Sequence, residues 1–153
     1  MRTIGFRASP TEITYCIVET NESDTNILVI DKLIIPKSLN TPEQLKFVRN
    51  TLLDIINQNF IERAGIRITE SVTQPSIERI SFEAIIQEIL ASSFVEKYFL
   101  GQTSNISSKL GFKREDFKHY LKNDLDIEYI PNWKKFSEKE KESLLVAYAA
   151  QKL

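Results

Sequence analysis

The sequence predicts an α/β fold in which a mixed five-stranded sheet is flanked by helices. Three features lead there. The first third of the chain alternates at period two and is rich in β-branched and aromatic residues. The middle switches between helical periodicity and short β-branched runs, and the last segment opens on a helix-capping signature.

Thr3–Ala8 places Ile4, Phe6 and Ala8 on one face of a strand and Gly5 and Arg7 on the other. Ser9-Pro10-Thr11 turns the chain, because Pro10 fixes its φ and has no N–H for a ladder. Ile13–Glu19 is a second strand, Asn21–Asn26 a polar turn, and Ile27–Ile35 a third strand that stops at Pro36. Connections this short join antiparallel neighbours, so the three strands form a meander.

Thr41-Pro42-Glu43-Gln44 combines a capping box with proline at the first helical position. Leu45, Val48, Leu52, Ile55, Ile56 and Asn59/Phe60 then share one helical face. Ala64–Glu70 is short and β-branched, a fourth strand that a right-handed helical crossover sets parallel to its neighbour. Past Ser71–Pro75, helical period returns over Ser76–Ser93 through Ile77, Ile80, Ala84, Ile85 and Ile89. Tyr98–Leu100 is a fifth strand ended by Gly101.

Ser104–Gly111 and Glu115–Lys122 read as helical turns, the second packing Phe117, Tyr120 and Leu121. Ile127–Trp133 is irregular around Pro131. Ser137-Glu138-Lys139-Glu140 is a second capping box, followed by Leu144, Leu145, Tyr148 and Gln151/Lys152 on a C-terminal helix. No repeat, low-complexity tract or linker interrupts residues 1–153, which read as one domain.

Composition narrows the function classes. Hydrophobic residues make up 42% and charged residues 27%, a globular rather than disordered balance. Lys and Arg (20) nearly cancel Asp and Glu (21), which argues against attachment to nucleic acid or membrane through global charge and leaves a local basic face open. The single Cys16 excludes an intrachain disulfide framework and a multi-cysteine zinc or iron–sulfur site. The single His119 excludes a multi-histidine metal site. No apolar run approaches the ~20 residues of a bilayer span and the N-terminus has no signal-peptide core, so a cytoplasmic location and no membrane partner are expected.

Ile4-Gly5-Phe6-Arg7-Ala8-Ser9-Pro10, followed by Thr14-Tyr15-Cys16-Ile17-Val18, resembles the first hairpin of RuvC-type Holliday-junction resolvases. Those begin with a strand of the form Gly-Ile-Asp-Pro-Gly, a turn, and a strand with a Gly-Tyr-Ala-Val-like run. The order of elements also resembles that of the RNase H-like superfamily, which implies strand order 3-2-1-4-5 with the first strand central. In that family, acids at strand and helix ends hold two Mg²⁺ or Mn²⁺ ions that activate water and stabilise the leaving oxygen of a phosphodiester. Carried over, the first-strand acid falls on Arg7, the fourth-strand acid on Glu70, and the C-terminal helix pair on Lys139 and Glu142. Glu83 is a candidate extra acid.

Arg7 is the decisive departure. A guanidinium stays protonated and offers only donors, so it cannot ligate a metal. Among Glu70 and Glu142 it would stand where the metal's charge stood, with Lys139 adding a second cation at the same mouth. The resemblance therefore implies a degenerate site: an ion-pair network with no catalytic residue, metal ligand or cofactor. Mg²⁺ or Mn²⁺ is implied only if Glu70, Glu83 and Glu142 rebuild a metal site.

Each of these residues also has a plainer role. Arg7 fits a solvent-facing edge residue, although Gly5 on its face argues for close packing instead. Glu70 fits a strand-end charge, Glu142 a first-turn helix acid, and Glu83, between Phe82 and Ala84, a solvated helix face. Cys16 reads as an inert buried thiol and His119 as a surface residue. Lys109, Lys113, Arg114, Lys118 and Lys122, interleaved with Phe112, Phe117 and Tyr120, have the composition of a nucleic-acid surface and equally of a solvated amphipathic helix. Trp133 is either a core anchor or an exposed contact.

Three functions follow. The preferred one is a non-catalytic RNase H-like module that binds nucleic acid or a protein partner. The others are a metal-dependent nuclease with a rebuilt acidic site, and a structural subunit that forms a homodimer through a sheet edge or helix face. Position 7 separates the first two.

Overall fold

The computed structural model describes residues 1–71, 74 and 76–153. Strands β1 (Arg2–Ala8), β2 (Glu12–Thr20) and β3 (Thr25–Ile34) form the meander. Helix α1 (Thr41–Gln58) leads to β4 (Arg63–Arg67), and α2 (Ile77–Ser92) to β5 (Lys97–Gly101). Helices α3 (Thr103–Leu110), α4 (Phe117–Leu121) and α5 (Glu138–Ala150) follow, with short 3-10 turns at Arg114–Asp116 and Trp133–Lys135. Of the connection expected over Ser71–Pro75, Val72, Thr73 and Pro75 lie outside the described residues.

The sheet runs β3-β2-β1-β4-β5. β1 pairs antiparallel with β2 and parallel with β4, and β4 pairs parallel with β5. The first strand is central, as the resemblance implies, and its alternation divides the structure into layers. Ile4, Phe6 and Ala8 join Val48, Leu52 and Ile56 of α1 and Phe82, Ile86 and Ile89 of α2 in one core. On the other face α5 packs its Leu144, Leu145 and Val146 with Cys16, Val18, Ile106 and Trp133.

Gly5 permits that second layer. A Cβ built there would stand 2.1 Å from the Ser143 carbonyl oxygen and 2.6 Å from the Ala147 nitrogen. Backbone therefore lies on backbone, and Thr3 Oγ1 donates to the Ala147 carbonyl at 2.9 Å. The expected single apolar stripe on α5 is replaced by burial all round, from Lys141 through Ala150. Such a helix needs cover on its outer side as well. The segment from α3 to the second 3-10 turn supplies it through Ile106, Phe117, Ile127, Ile130 and Trp133.

Two boundaries differ from expectation. The first capping box uses Asn40, not Thr41, as cap, with Glu43 completing it and Pro42 in the first turn. The second box is as expected, Ser137 with Glu140. Strand β4 ends at Arg67, three residues short of Glu70: Ile68 N still donates to the Gly101 carbonyl of β5 at 3.2 Å, but Thr69 N is turned to Glu83 at 2.9 Å. Among the described residues, no helix is long and apolar enough to cross a membrane.

Candidate functional site

Strands β1 and β4 repeat a short pattern, Gly5-Phe6-Arg7 and Gly65-Ile66-Arg67. Their parallel register sets Gly5 beside Gly65 and Arg7 beside Arg67. Phe6 and Ile66 enter the core under α1 and α2. The alternate positions face α5, where the glycines leave room for the helix and the arginines meet its side chains. Two guanidinium groups abreast on neighbouring strands repel each other. Helix α5 answers with one carboxylate between them.

That carboxylate is Glu142. Its Oε1 lies 3.3 Å from Arg7 Nε and its Oε2 2.7 Å from Arg67 Nε. All three side chains are largely withdrawn from water, at 15% exposure for Arg7, 9% for Arg67 and 10% for Glu142. Arg67 also reaches Glu70, Nη1 to Oε1 at 3.0 Å, and Nη1 donates to the carbonyl of Ile68 at 2.7 Å. Its guanidinium carbon sits 5.3 Å from the centre of the Phe117 ring. Arg7 donates in addition to the Ala8 carbonyl.

Glu70 lies beyond the end of β4, at the start of α3. Thr103 N donates to it at 2.7 Å, and the Thr103 hydroxyl donates to the same oxygen. Burial works to raise the Glu70 pKa, but the Thr103 hydrogen bonds and the Arg67 charge outweigh it and hold the carboxyl below its ordinary range. Glu83 is not solvated, as its neighbours in sequence suggest, but 3% exposed. Its Oε1 accepts from Thr69 N, Thr69 Oγ1 and Arg79 Nε, each at 2.9 Å. The Arg79 pKa is lowered, first by burial and next by the like charge of Arg7, with Glu83 and Glu142 opposing. Three arginines and three glutamates thus balance one another at the ends of β1 and β4.

The structure therefore joins Arg7 to Glu142 directly, and links Glu70 to the same carboxylate through Arg67. Lys139 does not share this mouth. It points to β2 and pairs with Glu12 at 3.1 Å. The second cation beside Glu142 is Arg67. Nor is Glu142 a first-turn acid: Glu138 and Glu140 hold that place, and Glu142 is buried one turn further on. The resemblance assigns no role to Arg67 or Arg79. The signal for Arg67 was the repeated Gly-x-Arg on two strands expected to run parallel; for Arg79 it was only the i,i+4 spacing to Glu83.

This donor set does not fit a divalent ion. Metal ligation needs carboxylate lone pairs turned to a common point, whereas both oxygens of Glu142 are taken by guanidinium groups and Glu70 and Glu83 are taken by Arg67, Arg79 and threonines. Among the described residues, no three His, Cys, Asp or Glu side chains converge in a way that could hold a metal.

The basic segment borders the cluster, because Phe117 lies against Arg67 between Arg114 and Lys118 in sequence. Lys113, Arg114 and Lys118 are exposed. Lys122 pairs with Glu138 at 2.6 Å, and Lys109 sits 5.3 Å over the Phe99 ring, so these two are engaged within the fold. Trp133 is a core anchor: it is 1% exposed and its Nε1 donates to the Tyr120 carbonyl at 3.0 Å. His119 is at the surface beside Asp124. Cys16 is buried 2.7 Å from Ser143 Oγ, and burial pushes its thiol up to about 12, so it carries no thiolate.

No protein-family model matches the sequence, and no curated protein matches it. Solved structures do match. RuvC from Thermus thermophilus superposes with a TM-score of 0.73 at 12% identity, covering 99% of this chain and 94% of that one. This chain has the RuvC-type RNase H-like fold. The same T. thermophilus RuvC in complex with Holliday junction substrate matches at 0.69 and 12% identity over the same shares of both chains. Fowlpox virus resolvase with its substrate Holliday junction DNA matches at 0.52 and 10% identity over 99% of each chain. Within this RuvC-type fold, Arg7 stands on the central strand where the resemblance places the family's first acid.

Proposed function

We propose that the protein is a RuvC-like module that binds branched DNA and does not cleave it. The observation that carries this is the bracketing of Glu142 by Arg7 and Arg67, at 3.3 and 2.7 Å. A carboxylate with a guanidinium group on each oxygen has no free face to turn to a divalent ion. Binding is supported by two things. The structural relatives include resolvases seen with Holliday junction DNA. The exposed Lys113, Arg114 and Lys118 border the arginine–glutamate cluster, where they offer cations to a phosphate backbone.

The test is binding of purified protein to a four-way DNA junction and to a matched duplex over a salt series, with Mg²⁺ and Mn²⁺ cleavage assays in parallel. If three phosphates are contacted, the logarithm of the association constant falls against that of salt with a slope of about −2.7. Replacing Lys113, Arg114 and Lys118 together by Glu abolishes binding and leaves the melting temperature unchanged. The expected cleavage of junction, linear DNA and RNA–DNA hybrid is none. Cleavage that disappears in Glu70→Gln would establish the rebuilt-site nuclease instead. Absence of binding at low salt overturns the nucleic-acid role and leaves a protein partner, a second copy included.

A further inference from the structure

Helix α2 carries more apolar residues than the core accepts. Phe82, Ile86, Ile89 and Leu90 enter it, but Ile77, Ile80 and Ala84, which the sequence groups with Ile89, stay outside. With Gln87 and Ala91 they form a seam spaced 3-4-3-4, the spacing at which one helix lines up residues toward another. No charged residue belongs to that seam. Helix α1 covers the other flank of α2, where Arg49 meets Glu88 at 2.9 Å. The seam therefore faces the free edge of the sheet, where β5 has a neighbour only in β4.

Strand register continues this face onto the sheet. Tyr98 pairs with Ala64 and Leu100 with Ile66, so both side chains share the sheet face that α2 covers. The cover is partial: Tyr98 is 45% exposed and Leu100 39%, beside Ile77 at 82% and Ile80 at 40%. Phe94, in the loop that joins α2 to β5, is 91% exposed. At about 200 Å² for a whole side chain of this size, these five present roughly 600 Å² to water. A monomer rarely leaves a larger apolar area open. A stable interface buries about 800 Å² per partner, a little over half of it apolar, so this face suffices for the apolar core of one.

The seam also selects its occupant. Its branched residues, Ile77 and Ile80, lie toward the N-terminus, its thinner ones, Gln87 and Ala91, toward the C-terminus, and Ala84 lies midway. A second α2 laid antiparallel sets Ile77 opposite Ala91, Ile80 opposite Gln87 and Ala84 opposite Ala84, so each branched residue meets a slimmer one. The central alanines bring the two helix axes to the near end of the usual range, about 8 Å. We infer that this face joins two copies of the chain about a two-fold axis through Ala84, with Tyr98 and Leu100 flanking the helix pair. The contact stands whether or not the DNA-binding role does, because it shares no residue with the basic segment or the arginine–glutamate cluster.

The experiment measures the mass of the full chain by sedimentation equilibrium at concentrations up to about 100 μM. The parent sediments at twice its chain mass of 17.7 kDa. Ile77→Asp weakens association about a hundredfold and leaves the helix content unchanged, because an acid suits the first turn of α2. Disulfide formation reads the axis. Oxidised Ala84→Cys links to its own copy, whereas Ala91→Cys does not, since two copies of position 91 stand about 21 Å apart along an antiparallel pair. The native Cys16 is buried and takes no part. The inference is overturned if the parent is a monomer throughout, which would leave the face to a protein of different sequence. It is equally overturned if Ile77→Asp leaves the dimer intact, or if Ala91→Cys cross-links as readily as Ala84→Cys.

Discussion

Arg67, rather than Arg7, should be the residue on which the cluster depends. Arg67→Ala removes the 2.7 Å partner of Glu142 Oε2 and the 3.0 Å partner of Glu70, and leaves the Ile68 carbonyl without its side-chain donor. Breaking a buried ion pair from one side costs about 3–5 kcal/mol, because the remaining charge stays desolvated. Two facts place the cost at the lower end, about 3 kcal/mol: Glu142 keeps Arg7, and Glu70, with 23% of its side chain exposed, keeps Thr103. Arg7→Ala removes a longer contact and leaves Glu142 its shorter one, so its cost is about 1.5 kcal/mol, the low end for a hydrogen bond to a charged group. In a chain of this length, 3 kcal/mol lowers the melting temperature by about 6–12 °C. Urea unfolding midpoints at pH 7, with unchanged slopes, measure both variants. Equal losses, or a larger loss for Arg7→Ala, would refute the assignment of Arg67 as the central cation.

Two further outcomes follow from the same geometry. The folded-state pKa of Glu70 is lowered from 4.5, so its contribution to stability is complete above that value and fades as pH falls through the depressed one. Glu70→Gln should lose stability at pH 7 and show a shallower decline in acid than the parent; parallel declines measured by thermal melts would mean that Glu70 is not held by Arg67 and Thr103. Restoring an acid with Arg7→Asp should by itself give little response to Mn²⁺ or Mg²⁺, because Arg67 still occupies the other oxygen of Glu142. The double variant Arg7→Asp/Arg67→Leu should be destabilised without divalent ions and regain melting temperature as Mn²⁺ is added; indifference of the double variant would show that these positions do not surround a former metal site.

Much of the sheet was legible because its rules are local. Alternation in Thr3–Ala8 separates Ile4, Phe6 and Ala8 from Gly5 and Arg7, and short turns allow only antiparallel neighbours for the first three strands. The end of β4 was not legible. Ile68 and Thr69 continue a β-branched run, and only the arrival of Glu83 from α2, which takes the Thr69 N–H, diverts the chain. Glu83 itself shows why i,i+4 charge pairs mislead: spaced from Arg79 as a surface pair would be, it is buried because a loop from another element folds over it. Glu142 escaped the plain first-turn reading for a similar reason. Its helix is covered on both sides, and nothing in α5 announces the cover, which comes from Ile106, Phe117 and Trp133.

The arginine pair also explains how acids clustered at these strand and helix ends are held together. Acids drawn together by strand and helix ends repel unless positive charge lies between them, and an exchangeable ion supplies that charge only while it is available and bound. Arg7 and Arg67 supply it covalently, at positions set by strand register and at every pH where the protein folds. Arg7 by itself would leave Glu70 without a cation, since it contacts Glu142 and not Glu70. Arg67 reaches both carboxylates and completes their neutralisation. With both arginines in place, the charges of the cluster are balanced within the chain itself.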